Sequence, residues 1–299
     1  MFYYLVVLSA LGSTAYYLLH TTKINQLYYQ SQIMPTVPDY IRFSLMVTLA
    51  VAIGGLFLSN NVVKRGHRIT VFLATAFLIL YLYLLSVRSG FIAFNMLDFV
   101  TLLWYMAKRR YFRALCTGGL LLMLPFLSFW CFPTFYNKYY NTKDDVGRVE
   151  EVSSANNFSL VGRVYSYKVG LQLAQAHPFV GVGKADMEDE ITTYYKADFP
   201  DIKPSAYLLP HNQFLYGLVA FGGLGLLIFI GCFYYPLYWS LTKTAPLLMA
   251  QYLIISLYFL AEYSLDQKNK TGLLFALLFL LLPVNDLMSP GPFRSRLET

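Results

Sequence analysis

Apolar runs with almost no charge recur along the whole chain, and one long polar stretch interrupts them. A helix needs about 20 apolar residues, within a range near 17–25, to cross a bilayer. Eight segments meet or approach that length: roughly Phe2–Leu19, Ile41–Leu58, Ile69–Ser86, Gly90–Met106, Ala114–Phe132, His211–Tyr235, Pro246–Ala261 and Gly272–Leu287. The last two are short, and the eighth carries Pro283. The pattern predicts an all-α, polytopic membrane protein with about eight transmembrane helices. Three regions follow: helices 1–5 over residues 1–132, a large loop over 133–210, and helices 6–8 over 211–299.

The 78 residues of Pro133–Pro210 hold 10 of the 16 acidic residues and 8 of the 23 basic ones. A polar insert this long inside a compact protein is expected to be partly folded and functional. Ser159–Ala176 reads as an amphipathic helix. Asp186–Ala197 reads as a second helix, with Asp186 as its N-cap and Pro200 past its end.

Composition sharpens the class. The chain is 57% hydrophobic and 13% charged, with a mean hydropathy of +0.49. Soluble domains carry about 25% charged residues, so an ordinary cytosolic enzyme, a disordered chain and a disulfide scaffold are all excluded. Cys116, Cys131 and Cys232 form no CxxC and no cluster with histidine, which supports neither zinc nor a disulfide framework. The N-terminus lacks a basic n-region and a small-residue cleavage site, so Phe2–Leu19 is read as a retained helix.

The net charge of +7 is explained by topology rather than by nucleic acid. One alternating set of short connections holds 10 basic residues: Lys64, Arg65, Arg68, Lys108, Arg109, Arg110, Arg113, Lys243, Arg294 and Arg296. The other holds 5, namely Lys23, Arg42, Arg88, Lys268 and Lys270. The positive-inside rule then puts both termini in the cytoplasm, and Arg88 and the large loop outside.

No phosphate-binding glycine loop is present. Outside the cytoplasm nucleotide sugars are scarce. An enzyme there needs a substrate that carries its own activation, such as a lipid-linked pyrophosphate. Arg88, in Ser86-Val87-Arg88-Ser89-Gly90, sits in a tight outer turn that Gly90 is expected to allow. Its fork suits a phosphate, although snorkelling to headgroups is an equal reading. Arg163 opens the first loop helix, where a solvated arginine is the plainer reading. The glycines of Pro178-Phe179-Val180-Gly181-Val182-Gly183 read as a structural turn, and His177 before them as a turn residue. His211 stands at the N-terminal end of a long apolar helix. The dipole there disfavours imidazolium, so a neutral base is one reading and a helix cap the other. Asp98 lies inside the fourth predicted span, where a structural hydrogen bond is favoured over a proton relay. Glu262 and Asp266 stand at the outer end of the seventh span and are placed to face the same cleft.

Taken in order, Ser86-Val87-Arg88-Ser89-Gly90, Gly162-Arg163 with Pro178–Gly183, and His211-Asn212-Gln213-Phe214-Leu215 running to Gly222-Gly223-Leu224-Gly225 resemble the O-antigen ligase and polymerase family of bacterial envelope glycosyltransferases. The resemblance spans roughly Ile69–Tyr238, with the three helices after the loop also fitting the family layout. Members usually carry more helices ahead of the first motif than this chain does.

The resemblance implies a multi-pass protein of the bacterial inner (cytoplasmic) membrane, surrounded by membrane lipids, with its active site facing the periplasm. It implies a metal-independent glycosyltransferase without cofactors or nucleic-acid partners. Its donor would be an undecaprenyl-diphosphate-linked glycan. The acceptor would be lipid A–core in lipopolysaccharide biosynthesis, as for a ligase, or another glycan chain, as for a polymerase. Arg88 and Arg163 match the family's diphosphate-binding arginines, and His211 matches its catalytic histidine. Asn212, Ser89 and Asp98 are secondary candidates. A lipid or sugar transporter is the reading from another class. It calls for paired intramembrane charges and helices broken at the midplane, and only Asp98 answers that description. A non-catalytic envelope relative that kept the motifs is a third.

The charge bias makes one direct prediction. In a cysteine-free background, single cysteines near Asp145 and Asp198 should react with an impermeant reagent in intact spheroplasts, and one near Arg109 should not. Labelling at Arg109 alone would invert the topology.

Overall fold

The computed structural model of the chain describes residues 1–59, 65–238 and 246–265. Among the described residues the regular elements are all helices, as expected for an all-α polytopic membrane protein. They are α1 (Phe2–Leu19), α2 (Thr21–Tyr29), α3 (Tyr40–Ser59), α4 (Arg65–Leu85), α5 (Arg88–Ala107), α6 (Tyr111–Cys131) and α7 (Pro133–Gly147). After these come α8 (Ser159–Ala176), α9 (Met187–Asp198), α10 (Gln213–Tyr238) and α11 (Pro246–Ala261), with short 3₁₀ turns at Val152–Asn156 and Pro204–Ala206.

Six helices, α1, α3, α4, α5, α6 and α10, are long and apolar enough to cross a membrane. Each falls within a few residues of a predicted span. The seventh span has its expected limits but is short. The eighth, Gly272–Leu287, lies outside the described residues. So do Lys64, Lys243, Asp266, Lys268, Lys270, Arg294 and Arg296.

The chain divides into two compact units, the first being Met1–Gly147 and the second starting at Arg148. In the first unit α3 is central. Leu45, Val47, Leu49 and Ala50 on it are wholly buried. Gly90 of α5 packs so tightly on Ser44 of α3 that a Cβ there would collide with it. This corrects one expectation. Gly90 serves a helix–helix contact inside α5, and the residue that takes the left-handed turn is Ser86, at φ 51°.

Two helices not foreseen from hydropathy, α2 and α7, secure that turn. The last carbonyls of a helix lack intrahelical partners. Here the Tyr28 hydroxyl donates to the Leu85 carbonyl at 2.6 Å, and the Thr134 hydroxyl donates to that of Leu84 at 2.6 Å. Asn141 of α7 in turn donates to the Tyr28 carbonyl at 2.8 Å.

In the second unit α8 presents one buried face, with Val161, Tyr165, Val169 and Leu173 at successive helical turns. That face packs with Met187, Ile191 and Tyr195 of α9 and with Tyr216, Val219 and Ala220 of α10. Asp186 holds the predicted N-cap position of α9, but its side chain makes no cap hydrogen bond. Glu188, Asp189 and Glu190 in the first turn complement the helix dipole instead.

Inside α10 the helix breaks at Gly222, whose φ of 65° and ψ of −173° fall in a region that only glycine enters readily. The break is filled by the Pro178–Gly183 turn, backbone to backbone. Val182 and Gly183 donate N–H groups to the Val219 and Ala220 carbonyls, at 2.9 and 3.0 Å. Gly223 and Leu224 donate to the carbonyls of Pro178 and Phe179, at 2.8 and 3.2 Å. A Cβ on Gly222 would collide with the Phe179 backbone. The two glycine motifs are therefore halves of one joint.

Gly222→Ala should lower the thermal midpoint of the detergent-purified protein. The strained backbone alone accounts for about 1–3 kcal/mol, before the clash. Gly217→Ala, five residues earlier and facing open space, should leave the midpoint unchanged or raise it slightly. Equal midpoints for the two variants would refute the joint.

Candidate functional site

In the second unit Arg163, His211 and Glu262 converge, from α8, from the entry to α10 and from the residue just past α11. The buried Glu262 carboxylate is shared. Its Oε1 accepts from Arg163 Nη2 at 2.7 Å, and its Oε2 stands 3.1 Å from His211 Nδ1. The Arg163 fork is also tied by Nη1 to the Ala261 carbonyl at 3.2 Å. Burial pushes the Glu262 carboxyl up. The hydrogen bond to His211 and the Arg163 charge outweigh it and hold the group below the ordinary carboxylate value. At neutral pH Glu262 is therefore the anion, and His211 Nδ1–H is the donor in their contact.

That choice fixes the tautomer. With the proton on Nδ1, a neutral imidazole presents its lone pair at Nε2. Nε2 makes no hydrogen bond among the described residues. The ring packs edge-on against Tyr263, with centroids 5.3 Å apart. Tyr167, one turn beyond Arg163 on α8, donates to the His211 carbonyl at 2.8 Å and to that of Leu260 at 3.3 Å. Gln213 accepts from the Leu265 N–H at 3.0 Å. The start of α10 and the end of α11 are thus stitched together around the histidine.

Asn212 has a structural task. Its Oδ1 accepts from the N–H groups of Phe214 and Leu215, at 2.9 and 3.1 Å, which is the bonding of an N-cap. The capping role weighed for His211 therefore belongs to its neighbour, and the imidazole is released from it.

Arg88 belongs to the first unit and is the first residue of α5. Its Nε donates to Thr142 Oγ1 at 3.0 Å, and its Nη2 to Asp145 Oδ2 at 2.9 Å, both on α7. The guanidinium has five N–H donors, so two are engaged and the fork keeps donors for an anion. Val87, the N-cap of α5, makes no side-chain cap bond. The positive end of α5 therefore adds to the attraction for an anion beside Arg88. Ser89 is half-buried, and its hydroxyl makes no hydrogen bond among the described residues. Asp98 departs from expectation: its Oδ2 is buried without a hydrogen-bond partner among the described residues. His177 is exposed at the end of α8, in keeping with a turn residue.

Glu262 is the member of this cluster that sequence reasoning underused. It was visible at the end of a span, but its partners lie 99 and 51 positions away, beyond any local spacing rule. Asp145, in the acidic run Asp144-Asp145, reads from its spacing as part of a solvated face, but it is buried and paired with Arg88; Tyr167 left no signal at all. Among the described residues no three His, Cys, Asp or Glu side chains gather into a group that could hold a metal ion.

Comparison with curated proteins gives no match. A family model described as O-antigen ligase matches residues 73–230, which include Arg88, Arg163 and His211. With more than half of its length matched, the chain belongs to the O-antigen ligase family, membrane proteins with a glycan-transfer role in polysaccharide assembly.

Proposed function

We propose that this protein transfers a glycan from undecaprenyl diphosphate to an acceptor hydroxyl, with lipid A–core as acceptor, at the outer face of the bacterial inner membrane. The observation that carries the reading is the Glu262 carboxylate held between Arg163 and His211 Nδ1. His211 Nε2 takes the acceptor proton as the acceptor oxygen attacks the anomeric carbon. The bond from that carbon to the diphosphate oxygen breaks, and undecaprenyl diphosphate leaves. The imidazolium formed is stabilised by ionised Glu262, as a carboxylate stabilises a histidine base in other dyads. Arg163 offers its remaining N–H donors to the diphosphate as negative charge grows there. In the first unit Arg88 binds phosphate as well, the role the family resemblance gives it.

Donor turnover by the purified chain tests this, with lipid A–core and glycan acceptors supplied separately. Turnover with only the glycan acceptor would make the protein a polymerase. His211→Ala should leave donor binding intact and lower turnover about 10²–10⁴-fold, the range of a general base. Glu262→Gln should also lower turnover more than donor binding. Arg88→Lys and Arg163→Lys should fail despite keeping charge, because an ammonium cannot reproduce the guanidinium fork. Donor binding should weaken in both. Near-full activity of His211→Ala at matched protein level would remove the base. Equal donor affinity in wild type and the arginine variants would remove their role.

Chelation supplies a second test. The arginines provide the positive charge that a divalent cation gives other glycosyl-diphosphate transferases, so activity should survive EDTA in detergent. Loss restored by a single divalent metal would overturn the metal-free reaction and direct attention to Asp186, Glu188 and the neighbouring acids.

A further inference from the structure

The joint between the Pro178–Gly183 turn and the break in α10 has a definite depth. Gly222 divides the 26 residues of α10 into helical parts of 9 and 16 residues, about 14 and 24 Å at 1.5 Å per residue, so neither spans the hydrocarbon alone. The hydrocarbon core is about 30 Å thick, which takes about 20 helical residues. Every stretch of that length within Gln213–Tyr238 includes Gly222. Wherever α10 sits along the bilayer normal, the break lies within the hydrocarbon, and so does the turn bonded to it.

The chemistry of the joint agrees with that depth. Unpaired backbone groups are very costly in hydrocarbon, and non-helical backbone survives there only when its N–H and C=O groups are answered. Four main-chain bonds answer groups on both partners, at Val219, Ala220, Gly223 and Leu224 on the helix and at Pro178, Phe179, Val182 and Gly183 on the turn, and the Gly181 N–H donates to the His177 carbonyl at 3.2 Å. At the tip, Phe179 and Val180 are each 73% exposed. They continue the apolar surface that α10 shows through Phe221, Leu224, Leu227 and Ile228. In water this would be an exposed patch without a purpose, whereas against acyl chains it is satisfied.

We infer that the Pro178–Gly183 turn is a re-entrant membrane element, holding Phe179 and Val180 against the acyl chains of the bilayer. It pins the end of α8 to the membrane and so sets the height of the Arg163 end of that helix above the lipid. The inference rests on α10 spanning the bilayer and does not depend on the proposed reaction.

The test is collision accessibility of spin labels. The full chain, with Cys116, Cys131 and Cys232 replaced, would carry single labels through Phe179→Cys or Val180→Cys. It would be reconstituted in phospholipid vesicles free of any polyprenyl donor. Leu227→Cys gives the lipid reference and Lys196→Cys the aqueous one, both at exposed positions. The labels at 179 and 180 should match Leu227, with oxygen collisions several-fold more frequent relative to those with a water-soluble nickel chelate than at Lys196. Two outcomes overturn the inference. Nickel access equal to that at Lys196 would place the turn in water. Shielding from both reagents would mean that protein, such as a second copy, covers it. Two labelled positions keep the result readable if one variant fails to fold.

Discussion

A single buried carboxylate organises the candidate site. Glu262 closes two contacts at once, with Arg163 on α8 and with His211 at the entry to α10. Losing the carboxylate leaves its partners, a guanidinium and an imidazole, without their shared acceptor, a cost that solvent reduces at Arg163, whose side chain is partly exposed. The rest of the second unit can be read as the means of delivering that carboxylate. Tyr167 ties α8 to the end of α11, Gln213 ties α10 to the residues beyond it, and Asn212 caps α10 so that His211 need not.

The break in α10 bears on the rival reading of a transporter, which calls for interrupted helices near the membrane midplane. Interruption alone does not make a binding site. In transporters the exposed half-helix ends face a cavity and meet the substrate or its coupling ion. Here the carbonyls of Val219 and Ala220 and the N–H groups of Gly223 and Leu224 are taken by the backbone of the turn. The joint spends its polar groups on holding a loop and leaves none of these four for a solute. That favours a rigid support for the site over a moving gate.

How much of this was legible in the sequence depended on the range of the signal. The spanning helices were legible because hydrophobicity accumulates over about 20 neighbouring residues, and α8 because apolar residues recur with each turn at Val161, Tyr165, Val169 and Leu173. The helices α2 and α7 were not, since each is short or polar and gains its place from distant hydroxyl-to-carbonyl bonds. Gly90 was misread because glycine is the usual choice for a tight turn. Here a neighbouring helix needed its missing side chain, and Ser86 took the turn. The order of the three motifs pointed to Arg88, Arg163 and His211. Which carboxylate accompanies each arginine was not visible, because Asp145 and Glu262 lie 57 and 99 positions from their partners.

Both candidate arginines are thus already paired with a carboxylate, Arg88 with Asp145 and Arg163 with Glu262. At first sight this weakens them as anion binders. Under the proposed reaction it is an advantage. The free diphosphate that leaves carries more negative charge than the glycan-linked diphosphate that arrives, so unscreened arginines would hold the product more tightly than the donor. A partnering carboxylate moderates that grip while keeping the fork aimed. Only interactions that strengthen between ground state and transition state raise the rate of the chemical step. A pre-aimed, partly neutralised guanidinium meets that condition better than a free one: its geometry is fixed before the donor binds, and its remaining donors respond to charge as it develops.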